Sequence, residues 1–103
     1  MANYLLLYHG GRVPQTDEDR AATMAKWAKW MQDVGENLVD RGNPCSDVKS
    51  VSQTGASEFS DHRVSGYSII SASSMDDATN CAQMVPLVDE GGTVDVYEIH
   101  PSM

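Results

Sequence analysis

The chain has 103 residues, 41% of them apolar, and carries 15 acidic against 7 basic side chains for a formal charge of −8. That length holds one domain, residues 1–103, able to bury a core without a disulfide or metal framework. The charge argues against nucleic acid and against an anionic membrane surface as partners, since both require clustered Lys and Arg and those present are scattered.

The two cysteines, Cys45 and Cys81, form no C-x-x-C pair and stand at no ligand spacing from a histidine. They read as a loop thiol and a small apolar helix residue, with a disulfide between them as the lesser alternative. The opening residues have no basic region and only a short apolar run, unlike a signal peptide, and no stretch approaches the ~18 apolar residues of a membrane span. The expected setting is reducing and cytoplasmic.

Tyr4 to His9 is an apolar run ended by Gly10-Gly11, which suits a strand. Thr16 is placed to cap a helix, and Asp17-Glu18-Asp19 favours the positive end of its dipole. Ala21, Met24, Trp27, Ala28, Met31 and Val34 then recur at three- and four-residue steps, with Trp30 at the edge of the stripe and Gly35 as the stop. Leu38-Val39 runs into Asp40-Arg41-Gly42-Asn43-Pro44, which is turn chemistry. Val48 to Gln53 reads as an edge strand, and 54–63 as a loop anchored only by Phe59. Val64 to Ala72 is the strongest strand. Ser73 or Ser74 caps a second helix whose apolar set is Ala78, Cys81, Ala82 and Val85, and Pro86 cannot continue it. Gly91-Gly92 turns the chain into a last strand, Thr93 to Ile99. The order β-α-β-β-α-β predicts an α+β, ferredoxin-like fold, with two helices on one face of a four-stranded antiparallel sheet.

Side chains alternate across a strand, so each strand offers two faces. Placing the tyrosine-free sets under the helices puts Tyr4, Leu6 and Tyr8, Tyr67 and Ile69, and Asp95, Tyr97 and Ile99 on the opposite face. That face has no cover from its own chain. A large apolar patch marks an interface, and Tyr suits one, so a homodimer follows.

The chain resembles the YCII-related family, including its DGPF branch. The resemblance lies in Tyr4-Leu-Leu-Leu-Tyr8, in Trp27-x-x-Trp30-Met31 with Gly35, and in Gly66-Tyr-Ser-Ile-Ile-x-Ala72. It continues through Met75-Asp-Asp-Ala78, Pro86 and Gly92-Thr-Val-Asp-Val-Tyr-Glu-Ile99, and spans most of the chain outside residues 44–63. It implies a ferredoxin-like fold paired into a dimeric α/β barrel. Enzyme-like members of the family are associated with a His on the first helix and an Asp in an Asp-Pro step after the second. Here the step is Val85-Pro86 and the first helix holds no His, so no catalytic residue carries over. The Asp-Gly-Pro-Phe tetrapeptide is also missing, and its loop reads Gln53-Thr-Gly-Ala-Ser-Glu-Phe59.

Candidate chemistry is sparse. His9 at a strand end beside two glycines has the placement of a general base or ligand-binding group, weighed against an ordinary surface histidine. Asp95 on a mostly apolar face requires a partner, a perturbed charge or access to water. A metal site would need His9, His62 and Asp95 to converge, and none is expected. No nucleophile elbow or phosphate loop is present, and no cofactor is expected.

Two readings follow. One is a small dimeric α/β-barrel protein that binds or transforms a small organic metabolite in a barrel cleft, with Tyr8, His9, Tyr67, Asp95 and Tyr97 as ligand-binding residues. For that reading, the wider superfamily implies isomerase, lyase or monooxygenase-like chemistry without a cofactor. The other is a non-catalytic dimerising or binding module in which the tyrosines serve only the interface.

Overall fold

The computed structural model describes residues 1–57 and 63–101. Phe59 and His62, the expected loop anchor and loop histidine, lie outside the described residues. Two strand-to-helix turns frame the architecture. Thr16 is extended, and its side chain accepts from the Asp19 N–H at 3.0 Å, opening helix α1 (Asp17–Val34). Ser74 does the same for the Asp77 N–H at 3.1 Å, opening α2 (Met75–Gln83). Each side chain satisfies an N–H that the first helical turn leaves without a partner. Gly35, at φ 59°, ends α1 with its N–H on the Met31 carbonyl. Pro86 ends nothing by itself: α2 stops at Gln83, and Pro86 opens a one-turn helix, α3 (Pro86–Asp89), where its missing N–H is harmless.

The main sheet contains β1 (Ala2–His9), β2 (Leu38–Asp40), β5 (Gly66–Ala72) and β6 (Thr93–Ile99). Its order is β2-β5-β1-β6, every pair antiparallel, which is the ferredoxin-like topology. The second strand differs from expectation. Residues 48–53 do not join this sheet: β3 (Ser50–Ser52) pairs only with β4 (Gly55–Ser57) in a separate hairpin. The sheet takes Leu38–Asp40 instead, with Leu38 opposite Ile70 and packed against the core. Three residues directly after a helix are too few to show an alternation. The hairpin is exposed along its whole length. The radius of gyration is 15.0 Å, against about 13 Å for a compact chain of this length, as a projecting arm requires.

Tyr4 lies opposite Ile70 and Glu98, Leu6 opposite Ser68 and Val96, and Tyr8 opposite Gly66 and Val94. These residues face the helices. The core joins Tyr4, Leu6, Tyr8, Ile70 and Ala72 to Trp30 of α1 and to Ala78, Ala82 and Val85. The face assignment therefore holds for β5 and β6 and is reversed for β1: Tyr4, Leu6 and Tyr8 lie under the helices, and Leu5 and Leu7 lie on the open face. Both parities of β1 are apolar, so its pattern contained no direction. The two tyrosines are tolerated inside because their hydroxyls have partners, Tyr4 donating to Glu98 Oε1 at 3.3 Å and Tyr8 to Ser68 Oγ at 2.7 Å.

Helix α1 is also rotated from its expected stripe. Trp30 is its buried residue, with Trp27, Met31 and Val34 packed against the core, while Ala21, Met24 and Ala28 remain exposed. Trp30 Nε1 donates to the Cys81 carbonyl at 3.2 Å, tying α1 to α2.

Candidate functional site

A cavity of about 750 Å³ lies between α1 and the β5 edge of the sheet. Its roof is Met24, Trp27, Ala28 and Met31, and its floor includes Tyr8, Gly66 and Ser68. The space exists because the helix-facing positions of β5 begin with Gly66 and Ser68, where the strand's far half places Ile70. A Cβ at Gly66 would lie 3.2 Å from the Asn43 carbonyl oxygen, so the glycine also lets the chain after β2 lie close to the strand. Trp27 meets Tyr8 edge-on, with ring centroids 5.3 Å apart and planes at 68°, and meets Trp30 in the same way at 6.0 Å.

One directional hydrogen-bond chain crosses the floor. The Arg41 carbonyl can only accept, so Ser68 donates to it at 2.8 Å. Ser68 Oγ then accepts from the Tyr8 hydroxyl. Burial pushes the Tyr8 phenol up to about 12, the Ser68 bond acting the other way. Near neutrality Tyr8 is a fixed neutral phenol whose oxygen retains acceptor capacity toward the cavity. It is not a base.

Arg41 and Arg12 line the same cavity. Arg12 is tied to Asp19. Arg41 is exposed, and its guanidinium has no ion pair among the described residues. The backbone that carries it is tightly defined: the Gly42 N–H donates to Asp40 Oδ1 at 2.8 Å, φ at Gly42 is 77°, and a Cβ there would lie 1.6 Å from the Tyr67 carbonyl oxygen.

The five residues singled out in the sequence do not converge. Tyr8 faces the cavity. His9, Asp95 and Tyr97 share the opposite face of the sheet. Tyr67 is on that open face by register yet also borders the cavity at the sheet edge, where Asn43 Nδ2 donates to its hydroxyl at 3.4 Å. His9 Nε2 lies 2.8 Å from Asp95 Oδ2, and Nδ1 lies 3.1 Å from the Arg63 carbonyl oxygen. Both partners only accept, so both contacts form together only when each ring nitrogen carries a hydrogen. Asp95 has His9 as a partner and is open to water, its side chain being 50% exposed. No group of three His, Cys, Asp or Glu able to hold a metal occurs among the described residues.

Ser68 and Arg41 escaped the sequence reading. Ser68 sits in a polar-looking alternation, and Arg41 in a run that reads simply as a turn. The available signal was Gly66-x-Ser68 on the helix-facing parity, two small residues where a core strand would place bulk.

A second concavity of about 690 Å³ lies between α1 and α2, reaching Trp30, Cys81 and Met84. Of its charged groups, Lys29 Nζ bonds Asp33 at 2.8 Å and Asp77 bonds the Ser73 hydroxyl, while Lys26 and Asp89 also line it. The buried, convergent polar groups belong to the cavity beneath α1.

The fold is that of a known dehydrochlorinase. The chain superposes on 5-chloro-2-hydroxyhydroquinone dehydrochlorinase (TftG) from Burkholderia phenoliruptrix AC1100, solved in complex with 2,5-dihydroxybenzoquinone. The TM-score is 0.59 at 15% identity, over 95% of this chain and 93% of that one. At that identity the likeness speaks for the fold alone. No family model and no curated protein matches the chain. No helix among the described residues is long and apolar enough to cross a membrane.

Proposed function

We propose that this chain is a small-molecule-binding α+β-barrel protein of the YCII-related kind, and that the cavity beneath α1 binds, and in its enzymatic form transforms, a small organic metabolite. The observation that carries this reading is the Tyr8–Ser68–Arg41 hydrogen-bond chain flooring an aromatic-roofed cavity. Ligand sites are mostly apolar concavities with a few convergent polar groups, and this one fits that description. The Trp27 and Tyr8 rings that meet edge-on along its wall support a flat ring-shaped ligand. The volume is several times the ~150 Å³ that accommodates a benzene ring.

The test is thermal shift with 2,5-dihydroxybenzoquinone and related hydroxylated aromatics, on the wild-type protein and on Ala28→Trp. Ala28 is exposed on α1 and lines the cavity, so tryptophan there fills the space without entering the core. A raised melting temperature in the wild type that disappears in Ala28→Trp supports the reading. No shift with any of them opposes it. Turnover of a bound compound separates an enzyme from a binder.

The open sheet face favours a second reading. Leu5, Leu7, Ile69 and Ile99 lie there with Tyr97, and the proposed homodimer forms on this surface. In a purely dimerising module this face would be the functional one, and the absence of a first-helix His and of an Asp-Pro step agrees with that.

A further inference from the structure

We infer that the ligand of the α1 cavity is a planar hydroxylated organic anion, its hydroxyl bound by Tyr8 at the floor and its anionic group by Arg41 at the rim. This rests on the cavity being a ligand site. Of 15 acidic residues in a chain of charge −8, none of those described lines the cavity, whereas two of its 7 basic residues do. An apolar concavity with cations and no carboxylates selects against cations and favours anions. Arg12 is partly neutralised by Asp19, and Arg41 has no ion pair among the described residues, which makes Arg41 the residue open to a carboxylate or phenolate. The floor reads the other end. Because the Arg41 carbonyl orients Ser68 and Ser68 orients Tyr8, the phenol's hydrogen is already used, and its oxygen offers only acceptance. A ligand must therefore donate to it, as a hydroxyl does. Trp27 and Met31 above require a flat, apolar middle.

Three probes of one shape isolate these features: 4-hydroxybenzoate, 4-hydroxybenzamide, which lacks the charge, and 4-methoxybenzoate, which lacks the donor. Calorimetric titration of the wild type should favour the hydroxy acid over each analogue by about tenfold or more, the scale of a lost charged or buried hydrogen bond. Arg41→Gln should bring the hydroxy acid down to the level of the amide and leave the amide unchanged, while Arg41→Lys keeps most of the preference. The floor survives both substitutions, since Ser68 bonds the backbone of Arg41 and not its side chain. Equal affinity for acid and amide in the wild type, or a preference that persists in Arg41→Gln, overturns the anion assignment while the cavity reading stands. Equal affinity for the hydroxy and methoxy acids overturns the floor assignment. If none of the three binds, or if binding persists in Ala28→Trp, the cavity reading fails and this inference with it.

Discussion

Tyr8 joins stability and recognition in one phenol. Its hydroxyl, raised to about 12 by burial, must stay protonated in the folded chain, whereas in the unfolded chain it ionises near its ordinary value of 10. A raised folded-state value stabilises fully below pH 10, and that contribution is lost as the pH climbs through 12. Its size is on the order of 2–3 kcal/mol. Burial raises the Cys81 thiol, and burial followed by the Glu98 carboxylate raises Tyr4, so both act in the same direction. Denaturant titrations between pH 8 and 12 should show an alkaline loss of stability that is visibly smaller in Tyr8→Phe. An identical loss in the variant would remove Tyr8 from the account. Near neutrality Tyr8→Phe should cost about 1 kcal/mol, since Ser68 Oγ loses its donor while the ring stays packed on Trp27.

Elements differ in how far they could be read beforehand. The helices announced themselves through caps: Thr16→Ala or Ser74→Ala should each lower stability by about 1 kcal/mol in chemical denaturation. The faces of β5 and β6 were legible because in each the tyrosine-bearing parity is the one turned away from the helices. In β1 both parities are apolar, and the choice depended on partners, Glu98 and Ser68, that only the folded sheet brings near. The β2 edge was hidden for another reason. Its pairing with β5 is broken by an irregularity between Leu38 and Asp40, and the chain then continues as isolated contacts, with Pro44 bridging Gly66 and the Tyr67 N–H on the Asn43 carbonyl. That irregular edge presents Arg41 to the cavity. Gly42→Ala, with a Cβ forced onto the Tyr67 carbonyl, should destabilise by more than either cap mutation and weaken the hydroxy acid more than the amide, both by titration. Of the cavity, the sequence singled out Tyr8 but set it on the open face, and His9 and Asp95, read on opposite faces, meet only because β1 is turned over. The cavity itself was not legible, because it depends on the volume that Gly66 and Ser68 leave unfilled.

As a whole the molecule is thin, 44 × 41 × 18 Å, with its helices on one side of the four-stranded sheet. Half-buried Leu7 and Ile69 form the middle of the other side, next to His9 and Asp95. Light scattering should report a dimer for the wild type and a monomer for Leu7→Glu or Ile69→Lys. A monomeric wild type would sink the proposed assembly. Consecutive residues of β1 serve both sides: Tyr8 looks into the cavity and His9 toward the open face. A displacement of β1 by a ligand therefore reaches the surface where two copies would meet without passing through any other element. Thermodynamic reciprocity then fixes the outcome: whatever factor separates the affinities of monomer and dimer for the ligand must reappear, squared because a dimer holds two sites, as the factor by which saturating ligand changes the dimer's own dissociation constant.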